Sequence, residues 1–266
     1  MSGVVDEEAE LFGLPYVPPD ATTAYGPHPD QVVDHYLPPG MPNGVRVTLL
    51  HGGFWRAAYD RRHLAPLAAA LAAHGFDTAL AEYRRVGAGG GWPATFADVR
   101  SALAVGPPST RPHVLVGHSA GGHLALCAAA REDAGVDAVV AVAAVADLAR
   151  ARELGTGGGA VDALLGDRPA AEADPALLRP RVPVTLLHGS ADPEVPVELS
   201  HRYAVAARLL GAAELRVLPG VGHYAPVTPG TPACDVLLAL VASSTKPDPW
   251  PGAGRVVLET DADGSP

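Results

Sequence analysis

From residue 45 onward, short apolar runs alternate with segments of helical periodicity, and this alternation limits the chain to very few architectures. The stretches 45–50, 78–81, 113–116, 136–144, 183–187 and 214–218 read as strands, the most apolar of them buried on both faces. Helices are expected over 59–74 (with Gly75 just past the end), 93–105, 120–131, 196–210 (with Gly211 past the end) and 231–242. Strands that alternate with helices build a parallel sheet covered on both faces, so the fold class is α/β, with a mostly parallel central sheet.

Other stretches do not share this rhythm. Residues 31–37 read as a further short strand, and Pro38-Pro39-Gly40 and Asn43-Gly44 are turn signals. Residues 1–30 are rich in proline and acid, show no periodicity and read as an N-terminal arm. Residues 31–245 read as a single domain, since α/β domains often reach about 250 residues. Within it, 147–181 is weakly periodic and lies between two apolar strands, which is the character of a short lid above a sheet edge. Residues 246–266 read as a proline-rich, then acidic tail outside the core.

Charge and cysteine content remove several function classes. The net charge is −10, and the basic runs do not exceed pairs such as Arg61-Arg62 and Arg84-Arg85, which argues against nucleic acid as a partner. Uninterrupted apolar stretches stay below the roughly 18 residues of a membrane span, so no membrane is expected. Residues 1–10 are acidic and lack the apolar segment of a secretory signal. Cys127 and Cys234 are far apart on apolar helical patterns and read as buried thiols in a reducing compartment, so the expected location is cytoplasmic. There is no metal-ligand spacing, and the glycine-rich loop 87–91 lacks the lysine of a phosphate loop. Neither a metal nor a cofactor is expected.

The chemistry is concentrated in a few loops. Gly117-His118-Ser119-Ala120-Gly121 fits G-x-S-x-G, with a strand before it and a helix after it. Such a turn exposes a serine hydroxyl and aims helix N–H groups at the same place. His51-Gly52-Gly53-Phe54-Trp55 follows another strand, and glycines there let backbone N–H groups converge on a developing oxyanion. A serine hydroxyl is a weak nucleophile at neutral pH, so it needs an imidazole base, which in turn needs an orienting carboxylate. Asp192 and His223 sit in the loops after the last two predicted strands, in the order Ser, acid, His.

Rival groups exist. Asp147 also follows a strand, Asp77 and Glu82 lie near theirs, and Glu194 falls closer to the next helix. His28, His35, His63, His74 and His201 have no motif context and read as surface or cap residues. His118 and His123 read as packing groups beside the nucleophile, His188 as a strand-end structural residue, and His51 as ordering its own loop.

The loops HGGFW and GHSAGGHL, with AEYRR and GGWPATFADV, resemble the α/β-hydrolases over about residues 31–242. Within that superfamily they are similar to the esterase/lipase branch with an HGG-aromatic oxyanion loop, which includes small carboxylesterases and kynurenine formamidase. The resemblance implies an α/β-hydrolase fold with Ser119 as nucleophile, Asp192 as acid and His223 as base. It implies oxyanion donors at Gly53, Phe54 and Ala120. Phe54 stands where the pattern has a third glycine, and its ring is expected to narrow the acyl side. Trp55, Trp92 and Tyr224 are further expected pocket walls. The serine at the elbow argues against the dehalogenase and epoxide-hydrolase branches, which have aspartate there.

The implied activity is hydrolysis of a small carboxylic ester or amide through an acyl-enzyme, with no cofactor. The partner is a small-molecule substrate, and a homodimer is compatible with the reading. An arylformamidase acting on N-formylkynurenine, an acyltransferase or thioesterase, and a non-catalytic hydrolase-fold binding protein stay open at this level.

Overall fold

The computed structural model describes residues 6–106, 110–208 and 213–244. The expected tail at 246–266 and the expected helix end at 209–211 lie outside the described residues.

An eight-stranded sheet organises the chain. Its strands are β1 (Ala21–Ala24), β2 (Val32–Tyr36), β3 (Arg46–Leu50), β4 (Asp77–Ala81), β5 (His113–His118), β6 (Ala138–Val142), β7 (Val184–Gly189) and β8 (Ala213–Leu218). The spatial order is β1-β2-β4-β3-β5-β6-β7-β8. From β4 through β8 all pairings are parallel, while β1 and β2 pair antiparallel at the edge. This is the α/β-hydrolase fold, and the sequence pattern predicts its parallel part strand by strand. The chain leaves β3 towards β4 and returns on the other side of β3 as β5. That reversal opens a crevice beyond the carboxyl ends of β3 and β5, where open α/β sheets bind ligands.

Alternating strand residues feed two cores. Val114 and Val116 of β5 pack on one face with Leu67 and Leu71 of α2 (Ala65–Ala73) and Leu237 and Val241 of α8 (Pro232–Ser243). Leu115 packs on the other face with Val99 of α3 (Ala94–Leu103), Leu124 of α4 (Ala120–Ala129) and Leu199 of α7 (Glu198–Arg208). Every residue of α4 is buried, which explains its run of Ala, Gly and Leu. Cys127 and Cys234 are free thiols buried in these cores. Among the described residues, no helix is long and apolar enough to cross a membrane.

Three regions differ from the sequence expectation in instructive ways. The stretch 59–74 begins as a separate 3-10 turn, Arg61–Leu64, before α2 starts. Asp60 caps the turn by accepting from Arg62 N at 2.9 Å, and Pro66, which has no N–H to leave unpaired, begins the new helix. Within 1–30 the chain forms α1 (Glu7–Phe12) as well as β1. Asp6 caps α1 through Ala9 N at 3.0 Å, three glutamates favour its first turn, and only Leu11 is buried. The stretch 147–181 holds α5 (Leu148–Glu153), α6 (Ala160–Leu165) and two 3-10 turns. Asp147, a rival acid on sequence grounds, caps α5 through Arg150 N at 2.8 Å and pairs with Arg202 at 2.6 Å.

Candidate active site

The parallel register brings four loops to one edge. Leu50 of β3 lies beside Gly117 of β5, His118 beside Val142 of β6, and His188 of β7 beside Val217 of β8. The residues that follow these strand ends include Gly53, Ser119, Asp192 and His223.

Ser119 has φ 56° and ψ −116°, a left-handed backbone that a non-glycine residue holds only under strong constraint. Its N–H donates to Val142 O at 2.8 Å, and its carbonyl accepts from His123 N at 3.1 Å. Close packing holds the elbow: a side chain at Gly121 would collide with the carbonyl oxygens of Leu50 and His51. The loop beside it also winds left-handed, with φ 103° at Gly53, 49° at Phe54 and 57° at Trp55. Glu82 anchors this loop. His51 Nε2 donates to Glu82 Oε1 at 2.7 Å, and Tyr83 Oη donates to His51 O at 2.6 Å. Glu82 also accepts from Arg61 N at 3.0 Å and pairs with Arg85 at 3.1 Å. Burial alone would raise the Glu82 carboxyl, but His51, Arg85 and the Arg61 amide outweigh it and bring it down to about 2.

Asp192 and His223 meet: His223 Nδ1 donates to Asp192 Oδ2 at 2.7 Å. His188 Nε2 lies 3.2 Å from the same oxygen, and Asp192 Oδ1 accepts from Glu194 N and Val195 N at 2.9 and 2.8 Å. Desolvation pushes the Asp192 carboxyl up, yet the hydrogen bonds from His188 and His223 keep it well below the usual carboxylate range. His188 is tied in turn to Ser200 Oγ at 2.7 Å and Val195 O at 2.9 Å.

Ser119 and His223 line one cavity of about 250 Å3. Gly53 and Phe54, expected as oxyanion donors, and Tyr224, expected as a pocket wall, also line it. Trp55 and Trp92 do not. The left-handed turn at Trp55 sends its ring wholly into the core against His123, and Trp92 stacks on Phe96 at 5.1 Å. Ala120 is fully buried as the first residue of α4. Phe54 leans on the segment between α5 and α6, where a side chain at Gly157 would strike its ring, and Arg56 donates to the carbonyls of Gly157 and Gly158.

The remaining wall comes from Glu8, Phe12 and Tyr59, which the sequence does not single out for the site, and from His63, His118 and Glu194, which it reads in other roles. His63 belongs to this wall, contrary to its surface reading. It stacks on Phe12 at 5.3 Å, and burial lowers its imidazole to about 4. His118 is buried and donates through Nε2 to His223 O at 3.1 Å, with its own pKa well below normal through desolvation and the neighbouring His223. A wider groove of about 510 Å3 lies between the 147–181 stretch and α7, lined by Asp147, Leu177 and Arg202. Neither Ser119 nor His223 reaches it. Among the described residues, no His, Cys, Asp and Glu cluster suits a metal ion.

A family model described as BD-FAE matches residues 33–206, more than half of the chain. A comparison with curated proteins finds no match. Solved structures with the same fold include an esterase B from Lactobacillus rhamnosis inhibited by a tributyrin phosphonate, at 20% identity and TM-score 0.72, covering 90% of each chain. A propionate-bound esterase from Thermogutta terrifontis matches at 23% identity and TM-score 0.66, covering 86% of this chain and 94% of that one. A bifunctional GH43-CE protein of Bacteroides eggerthii matches at 23% identity and TM-score 0.71, over 84% of this chain. The chain spans only 38% of the length of that bifunctional protein. At these identities the likeness is one of fold.

Proposed function

The chain belongs to the BD-FAE family of α/β-hydrolases, and from that premise we propose that it is a serine hydrolase cleaving a small carboxylic ester through an acyl-enzyme. The observation that carries this reading is the pairing of His223 with an ionised, buried Asp192 at 2.7 Å, in a cavity that His223 shares with the strained Ser119.

In the proposed reaction, Ser119 Oγ attacks the ester carbonyl carbon while His223 Nε2 takes its proton. The carbonyl π electrons move to oxygen, and N–H groups of Gly53, Phe54 and Ala120 receive that charge. One such donor is worth about 3 kcal/mol in the transition state. Collapse of the intermediate expels the alkoxide, which takes the proton from His223. Water then attacks the acyl-serine by the same route, giving the acid and free Ser119. Asp192 holds Nδ1–H, so that Nε2 presents its lone pair to the serine, and stabilises the imidazolium.

The cavity's size and charge narrow the substrate. About 250 Å3 suits a short acyl or aryl ester, in keeping with the propionate bound by the Thermogutta terrifontis esterase. Among the described residues no Arg or Lys lines it, and its charged walls are Glu8 and Glu194. N-formylkynurenine is a zwitterion whose carboxylate meets no cationic side chain among the described residues of this wall but whose ammonium group meets acids, so the wall's charge separates it from a neutral ester less than the assay does. The two free, buried thiols suit a reducing compartment such as the cytoplasm.

The deciding experiment compares kcat/KM for a short-chain aryl ester with that for N-formylkynurenine and adds a phosphonate ester probe to the parent and to Ser119→Ala. The expected result is ester preference, stoichiometric labelling of the parent, and neither turnover nor labelling in the variant. Preference for the formamide would assign the arylformamidase reaction instead. Absence of both turnover and labelling in the parent would assign a binding protein.

A further inference from the structure

We propose that Glu7, on the N-terminal helix, is a positioning residue for His223, so that α1 is a working part of the active site. The proposal rests on the reading of Ser119 and His223 as nucleophile and base.

The loop carrying His223 has left the sheet at Leu218, and its N–H groups need acceptors. Glu7 supplies them from 215 or more residues away in sequence. Its Oε1 accepts from Gly222 N at 2.7 Å, and its Oε2 accepts from Tyr224 N and Ala225 N, each at 2.9 Å. Tyr224 opens the 3-10 turn Ala225–Val227 and makes no side-chain cap of its own. The Glu7 carboxylate therefore caps this turn from another part of the chain. The residue before and the two residues after His223 are thus fixed to a single side chain. His118 holds His223 itself, donating to its carbonyl oxygen at 3.1 Å.

The space is fitted to the carboxylate. A Cβ at Gly222 would stand 2.7 Å from Glu7 Oε2, so the glycine makes room for it. The helix that delivers Glu7 is held independently of it. Leu11 is buried in the core against which Tyr224 packs, and Phe12 stacks on His63 and meets Tyr224 edge-on at 6.1 Å. Removing Glu7 alone therefore leaves α1 docked and releases the His223 loop. An imidazole displaced by about 1 Å can lose about a hundredfold in rate, and that loss falls on the chemical step.

The test uses the full chain with 4-nitrophenyl acetate as substrate. Glu7→Ala should lower kcat roughly 10- to 100-fold with KM within about threefold. Glu7→Gln, whose amide oxygen can still accept while its NH2 cannot, should recover part of that loss. Glu10→Ala, on the exposed side of α1, should match the parent. A thermal melt of each variant accompanies the kinetics. The proposal is overturned if Glu7→Ala keeps kcat within about twofold of the parent, or if its loss appears in KM rather than kcat. It is overturned equally if Glu7→Gln recovers none of the loss. Should Glu7→Ala fail to fold, Glu7→Gln decides alone, with parental kcat counting against the proposal. Ser119→Ala in the same assay separates the two levels: its full activity would sink the nucleophile assignment, whereas its inactivity beside an unimpaired Glu7→Ala would sink only the role of Glu7.

Discussion

Replacing Glu82 by glutamine is expected to produce a stability loss that disappears in acid. Glu82 is 1% exposed and takes contacts from His51, Arg61, Tyr83 and Arg85. Desolvation raises its carboxyl, and the His51, Arg85 and Arg61 interactions overcome this and bring it from 4.5 to about 2. At 1.36 kcal/mol for each unit, that difference is about 3 kcal/mol of folding stability at neutral pH. The folded value is the lower one, so the stabilisation is complete above the unfolded value of 4.5 and fades as pH falls towards 2. By about pH 3 roughly 60% of it is gone. Glu82→Gln should accordingly cost about 3 kcal/mol at pH 7 but only about 1 kcal/mol near pH 3. Urea unfolding followed by tryptophan fluorescence, with parent and variant at both pH values, measures this double difference. Other carboxylates titrate in the same window, but they do so in both proteins and cancel. The variant should also lose kcat at pH 7, because His51 then loses the carboxylate that anchors the Gly53–Phe54 turn. An equal stability loss at both pH values would refute the claim that the charge of Glu82, rather than its shape, holds the loop.

Three further substitutions probe the site. Asp192→Asn should lower kcat by several orders of magnitude, as the loss of a triad carboxylate does elsewhere (about 10⁴-fold). Asp147→Asn should leave kcat near the parent value and cost less than about 1 kcal/mol, since asparagine still caps the helix and only the half-exposed pair with Arg202 is lost, and steady-state kinetics with a urea melt reads both; a reversed ranking would move the acid to Asp147. Gly121→Ala should destabilise by about 1–3 kcal/mol and depress turnover, because its methyl would meet the carbonyls of Leu50 and His51; an unchanged melt and kcat would show that the elbow yields easily.

The sequence makes most visible whatever is dictated locally. β6 is a continuous apolar run and β5 carries Val114, Leu115 and Val116 at its centre because both strands are buried on both faces, and Gly117 and Gly189 stand at strand ends where backbones approach. The 59–74 boundary is hidden because a 3-10 turn capped by Asp60 passes directly into α2, and both leave apolar residues at helical spacing. The direction of the Trp55 ring depends on three successive left-handed residues, two of them not glycine, and apolar periodicity carries no sign of that. The helix α1 buries a single side chain over six residues, too little for any period to register.

That last case separates two kinds of information in one site. Ser119 needs its elbow, and the elbow is built by its sequence neighbours: β5 before it, α4 after it and a glycine two residues on. His223 needs a loop held still, and the groups that hold it are Glu7, His118 and Asp192, each more than 30 residues distant in sequence. The proposed nucleophile can therefore be read from a five-residue motif, whereas the fixing of its proposed base is a property of the folded chain. Substitutions at Glu7 should for that reason act on kcat through His223 while leaving the Ser119 elbow intact. A phosphonate that reacts with Ser119 in the parent should label Glu7→Ala to the same final stoichiometry, but at a rate reduced in proportion to kcat. Equal labelling rates in the two proteins, beside unequal kcat, would mean that Glu7 acts on a later step than serine activation.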